Sequence, residues 1–228
     1  ARIFYPTKLA QTTTGTLAPV SGGLGAARGK HTMTRLYRTE NPSDATKLLD
    51  ALVLVAGGED GNGDALASAE MFDPAAGTFS PVSPMNTPRK DHLAILLKSG
   101  KVLVAGGVDD QGTTLDTAEI YDPVEDTWTE VTGTTMGDAR TGAAAVVLPG
   151  VEGTLEQDGL VLIAGGKDSG GTALETIEIF DASGLEFLPM DADTDLSEAR
   201  YGLTLTPTLS KDHAAVAAGG MASAPKTS

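Results

Sequence analysis

The chain has 228 residues, of which 40% are hydrophobic and 4% aromatic, with no cysteine and a formal net charge of −15 at pH 7. That acidity excludes a nucleic-acid surface, which needs clustered Lys and Arg against phosphate, and the missing thiols exclude disulfides and thiolate chemistry. No stretch approaches the roughly 18 apolar residues of a spanning helix, so no membrane span is expected.

The chain opens with Ala1-Arg2-Ile3-Phe4-Tyr5-Pro6 and Gly15-Thr16-Leu17-Ala18-Pro19, short β-rich pieces whose meaning comes from the copies that follow. Arg28 begins a unit. Its first clear strand is Val53-Leu54-Val55-Ala56-Gly57-Gly58, an apolar run ended by glycines. After a polar loop, Ala69-Glu70-Met71-Phe72-Asp73-Pro74 alternates polar and apolar as a half-buried strand does, and Asp-Pro ends it, because proline cannot donate to the ladder. Phe79, seven residues after Phe72, marks a fourth strand.

The order then repeats. Arg89 leads into His92-Leu93-Ala94-Ile95-Leu96-Leu97, the turn Lys98-Ser99-Gly100-Lys101, the strand Val102 to Ala105 with Gly106-Gly107, then Ala118-Glu119-Ile120-Tyr121-Asp122-Pro123 and Trp128. Arg140 leads into Ala143 to Leu148, Val161 to Ala164 with Gly165-Gly166, Ile177-Glu178-Ile179-Phe180-Asp181-Ala182 and Phe187. Arg200 leads into Ala214 to Ala218 with Gly219-Gly220. The continuous apolar runs suit strands buried on both faces.

The leading glycines at 57, 106, 165 and 219 lie 49, 59 and 54 residues apart. Four short antiparallel strands at a period near 50 describe the blade of a β-propeller. The diglycine after an apolar strand, the aromatic of the Glu-Met-Phe-Asp-Pro type strand, and the Trp-like slot in Gly77-Thr78-Phe79-Ser80 and Asp126-Thr127-Trp128-Thr129 resemble kelch repeats over nearly the whole chain. The resemblance implies an all-β propeller of four-stranded antiparallel blades, about four blades' worth. Its Gly/Ala/Thr/Ser-rich, acidic, cysteine-free character is similar to bacterial secreted and cell-envelope arrays of this kind, which implies an extracellular or cell-envelope location.

Blades are expected at 28–83, 89–133 and 140–190, with strands three and four of a further blade at 1–27, strands one and two at 200–220 and a polar tail at 221–228. The two half-blades are complementary, so a composite blade closing the ring is expected, which removes exposed edges. Four blades lie at the bottom of the propeller range, so other chains or segments are expected to complete a larger ring.

Function is expected at the rims. The two-to-three loops are glycine-rich and acidic, at Glu59 to Asp64, Val108 to Gly112 and Lys167 to Gly171, and the one-to-two connections lengthen at Tyr37 to Asp50 and Pro149 to Asp158. Asp60, Asn62 and Asp64 have calcium-loop spacing, but Ala65 replaces the glycine turn and no bidentate glutamate follows, so a solvated acidic turn is the better reading and no metal is expected. Gly29-Lys30 lacks the preceding glycine and following hydroxyl of a phosphate loop, and Gly23-Leu24-Gly25 lacks the third glycine of a dinucleotide fingerprint. His31 and His92 share one repeat position, taken elsewhere by Ala143 and Leu203, which points to structure.

Arg28, Arg89, Arg140 and Arg200 also share a position. Either they gather at the channel mouth around an anion, or each pairs with a carboxylate of its own or the next blade, which the acidic excess favours. No nucleophile elbow or assembled acid–base set is found, so no cofactor and no catalysis are expected. The sequence reads as a non-catalytic scaffold presenting rim loops to a protein or a carbohydrate. The alternative is an epimerase- or lyase-like kelch enzyme using channel-facing Arg, His and Glu. The copper-oxidase type of kelch ring needs a cysteine, and this chain has none.

Overall fold

The computed structural model describes residues 2–9, 12–19, 22–36, 52–148, 159–190, 195–208 and 215–222. The long one-to-two excursions and the tail beyond residue 222 lie outside the described residues. Sixteen strands are present among those residues: β1 (Arg2–Leu9), β2 (Thr12–Pro19), β3 (Thr32–Arg35), β4 (Val53–Ala56), β5 (Ala69–Asp73), β6 (Thr78–Val82), β7 (Leu93–Leu96) and β8 (Val102–Ala105). They continue as β9 (Ala118–Asp122), β10 (Thr127–Glu130), β11 (Ala144–Val147), β12 (Leu160–Ala164), β13 (Ile177–Asp181), β14 (Glu186–Leu188), β15 (Tyr201–Pro207) and β16 (Ala215–Met221). None of the described residues forms a helix long and apolar enough to cross a membrane.

The strands make three antiparallel four-stranded sheets in sequence order, β3 to β6, β7 to β10 and β11 to β14, here the first, second and third blades. Innermost strands pack in series, β3 on β7, β7 on β11 and β11 on β15. Bridges Gly29↔Glu59, Lys90↔Val108 and Thr141↔Lys167 tie the start of each blade to its two-to-three loop, so both lie on one rim.

The second strand of each blade is apolar at every position because both of its faces are covered. In β8, Val102 and Val104 join Tyr121 in a core with Leu54, Ala56 and Met85 of the first blade side. Leu103 and Ala105 join Ile120 in a core with Val161, Ile163 and Phe180 of the third blade. Each fully buried Val or Leu stabilises by about 1.5–3 kcal/mol, so these two cores outweigh any single polar contact in the sheet.

The seven-residue aromatic spacing is a cross-strand pair. Phe72 faces Phe79, Tyr121 faces Trp128 and Phe180 faces Phe187 in register, with ring centroids 4.7, 4.8 and 5.2 Å apart. Such pairs add about 0.5–1.5 kcal/mol beyond the area they bury. The β1–β2 hairpin places Phe4 opposite Leu17, the same register position.

Diglycines mark where one blade interlocks with the next. Gly57 and Gly58 have φ of 60° and 98°, and a Cβ on Gly57 would lie 2.4 Å from the Arg89 carbonyl oxygen. Gly58 donates its N–H to that same oxygen at 2.9 Å. Only a residue without a side chain permits both the left-handed backbone and this approach.

A second chain of backbone bonds links the inner ends of the blades. Lys30, Asp91, Gly142 and Gly202, each two residues after the repeat arginine, all have positive φ, 52° for the first two and 65° and 63° for the glycines. Asp91 donates its N–H to Lys30 O at 3.1 Å, Gly142 to Asp91 O at 3.2 Å, and Gly202 to Gly142 O at 3.1 Å.

The ends differ from the composite blade expected. β1–β2 and β15–β16 are two separate two-stranded sheets, each paired only with itself among the described residues. The inner strands follow one another from β3 to β15. Among the described residues the two hairpins are not joined into one four-stranded sheet.

Candidate functional site

The four arginines are positioned by the repeat, and the acceptors around them come from the same blade. Arg89 Nη1 donates to Gly106 O at 3.0 Å and Thr117 O at 3.2 Å, and Nη2 donates to Glu119 Oε1 at 2.9 Å. Arg140 repeats this with Gly165 O, Thr176 O and Glu178 Oε1, the last at 2.7 Å. Arg28 does so with Gly57 O, Ser68 O and Glu70 Oε1. The side chains of Arg28, Arg89 and Arg140 are 1%, 0% and 0% exposed. Their guanidiniums therefore face protein acceptors, not an opening, and a bound anion has no access to them.

Burial pulls the Arg89 and Arg140 guanidiniums below their ordinary pKa, against the opposing pull of Glu119 and Glu178. Each glutamate also caps the loop entering its blade. Glu119 accepts from Asn86 N at 2.7 Å and Thr87 N at 3.0 Å, and Glu178 accepts from Gly137 N at 3.0 Å. Each arginine thus fastens the diglycine carbonyl, the start of strand three and the incoming loop together. Among the described residues no strand-three glutamate meets Arg200. It holds Gly219 O at 2.7 Å and Glu198 at 2.5 Å, with a side chain 29% exposed.

Glu70, Glu119 and Glu178 are the residues that the sequence reading did not single out. Their signal was present: a glutamate recurring between apolar neighbours one residue into the third strand.

His92 is buried, with Nε2 hydrogen-bonded to Thr32 Oγ1 at 2.9 Å and Nδ1 without a partner. Burial, aided by the Arg89 charge, lowers its pKa to about 3, so it is neutral at physiological pH. His31 is half-buried, also with an unpartnered Nδ1, and is shifted down by burial and Arg28. Among the described residues no three His, Asp or Glu side chains are grouped to hold a metal ion.

Rim loops are built by one repeated device. Asp60 Oδ1 accepts the N–H groups of Asn62 and Asp64 at 2.8 and 3.0 Å, Asp109 those of Gln111 and Thr113 at 2.9 and 2.7 Å, and Asp168 those of Gly170 and Thr172, both at 2.8 Å. The trio with calcium spacing is thus a turn whose first carboxylate is taken by backbone donors, as in the copies where the spacing is broken. These turns leave Asn62, Asp110, Gln111 and Ser169 exposed at the tips.

Nearer the blade, at two junctions the post-diglycine residue meets the residue after the next blade's arginine. Glu59 lies 3.0 Å from Lys90, and the Lys167 ammonium lies 3.7 Å above the Tyr201 ring. Lys30 also binds Glu59 and approaches Asp91 at 3.6 Å. Lys90 and Lys30 together hold the Glu59 carboxyl below its usual range.

Radial four-stranded sheets interlocked by diglycines define a β-propeller. The Kelch motif matches at residues 49–86 and 97–134, so the chain carries kelch repeats. Among 163 matching solved chains, the structure of YjhT is 15% identical, with a TM-score of 0.67 over 96% of this chain and 66% of that one. The present chain therefore spans just under two thirds of the length of YjhT. No curated protein matches the chain.

Proposed function

We propose that this propeller is a non-catalytic scaffold that binds another protein through the rim carrying its two-to-three loops. One observation carries the reading: in all three blades an aspartate holds the loop in one conformation while its tip stays exposed. A loop ordered in advance loses little entropy on binding. The buried titratable groups support the same reading, because Arg28, Arg89 and Arg140 and their glutamates are committed to holding blades together. The formal charge of −15 favours a partner with a basic face.

The test is capture of a partner by the wild type and by an Asn62→Ala, Asp110→Ala, Gln111→Ala variant, with a glycan array in parallel. The expected result is a protein partner bound at least about tenfold more weakly by the variant, with an unchanged melting temperature. Unchanged affinity, binding of glycans alone, or turnover of a sugar by the wild type would sink the reading.

A further inference from the structure

We propose that a second copy of this chain continues the series of blades, seating the inner strand of its first blade, β3, on the face that β15 and β16 leave uncovered. The inference goes beyond the scaffold reading, because its surfaces are the two ends of the blade series and its partner is this chain.

The template is the contact between successive inner strands, made three times within the chain, β3 on β7, β7 on β11 and β11 on β15. At the first of these junctions Thr32, paired in register with Ala56, has its Oγ1 2.9 Å from His92 Nε2 of the next blade. His92 also lies over the diglycine of the first blade, its Cε1 2.8 Å from where a Cβ on Gly57 would stand, and Leu203 Cδ2 lies over Gly165 in the same way at 2.9 Å. The third residue after the repeat arginine thus reaches back to the preceding blade, and the fourth reaches forward to the next.

The polarity of these two positions matches at every junction within the chain. Thr32 meets His92. At the second junction the two positions hold Leu93 and Ala143, and at the third Ala144 and Leu203, apolar with apolar. Two polar residues of the set are left over, Thr204 reaching forward from the C-terminal hairpin and His31 reaching back from the first blade. Thr204 is paired with Ala218 as Thr32 is with Ala56. Its hydroxyl donates to Ala218 O at 3.2 Å, which leaves the oxygen to accept from an imidazole N–H. His31 of a second copy completes with Thr204 the pair that His92 makes with Thr32.

Among the described residues both surfaces are uncovered. Val216 holds the register position of Leu54 and is 55% exposed where Leu54 is 1%. A Cβ on Gly219 would meet nothing within 4 Å, whereas on Gly57, Gly106 or Gly165 it would run into the carbonyl oxygen of the next arginine. On β3, Met33 is 58% exposed, while its counterparts Ala94 and Ala145 pack on the cores shared with the preceding blades. Apolar side chains bared at both ends, beside a matched hydroxyl and imidazole, describe one blade contact split between two molecules.

The two surfaces differ, so the contact is head-to-tail and complementation tests it. Sedimentation equilibrium of the wild-type chain at about 100 μM is expected to show a dimer or larger species. Val216→Asp and Met33→Asp each place a carboxylate in one surface at an already exposed position, and each is expected to weaken association at least about tenfold with an unchanged circular dichroism spectrum. An equimolar mixture of the two regains association, since the intact β3 surface of one still meets the intact β15–β16 surface of the other. A His31→Cys, Thr204→Cys variant of this cysteine-free chain is expected to form disulfides between copies on a non-reducing gel. A monomeric wild type, a single variant that assembles like the wild type, a mixture as monomeric as its components, or a disulfide closed within one chain overturns the proposal. Should the double-cysteine variant not fold, the mixture decides alone.

Discussion

The second blade and the C-terminal hairpin begin with the same motif and end in opposite environments. In the blade, β8 is buried at every residue and Arg89 is sealed against Glu119. In the hairpin, β16 is exposed at six of seven positions, and Arg200 turns to Glu198, itself 69% exposed. Among the described residues no third and fourth strands pair with this hairpin, unlike in the blade. There these strands supply the glutamate, cover one edge of strand two and bring the aromatic pair that packs on the neighbour. Burial of the arginine thus follows from the third strand, and the arginine motif alone does not impose it.

The largest contrast is expected from the arginines. Arg89→Ala leaves Glu119 buried without its cation and should destabilise by about 3–5 kcal/mol, whereas Arg200→Ala should change stability by about 1 kcal/mol or less, its ion pair being half in water. Urea denaturation of the two variants measures this, and equal losses would break the comparison. The diglycines come next. Gly106 has φ of 65°, and a Cβ there would lie 2.5 Å from Arg140 O, while Gly219 has φ of 73° with nothing within 4 Å. Gly106→Ala should therefore cost about 2–3 kcal/mol and Gly219→Ala about 1 kcal/mol, the left-handed strain alone.

A smaller effect separates the histidine copies. His92 has a folded-state pKa depressed to about 3, so the unfolded chain binds its proton first. The stability it permits is complete above about pH 6.5 and falls as pH drops toward 3, by at most about 1.4 kcal/mol per pH unit. The C-terminal copy carries Leu203 at this position, buried to 6% exposure. His92→Leu should therefore flatten the stability profile in that window, and an unaltered slope would assign the acid sensitivity to other groups.

Much of this architecture was legible in the residues. The diglycines of the three blades reported both strand end and positive φ, whereas β16 runs through its diglycine to Met221; the spacing of Phe72 to Phe79 encoded a hairpin register that Phe4 and Leu17 repeat at the N-terminus. Asp-Pro marked the three-to-four turns, where Asp73 and Asp122 cap following N–H groups. Closure of the two half-blades was not readable. Sequence shows that edges are complementary, but whether they meet depends on the angle accumulated over every intervening blade contact. The glutamate partners were half-readable, since a repeated Glu inside an apolar strand implies a cation without naming it.

The backbone relay from Gly202 through Gly142 and Asp91 to Lys30 uses only amides and carbonyls. Any residue that tolerates the left-handed turn can therefore stand at those four stations, and here they hold a cation, an anion and two bare hydrogens. Selection can repaint the electrostatics at the centre of this wheel one spoke at a time, without disturbing the fastening that keeps the spokes together.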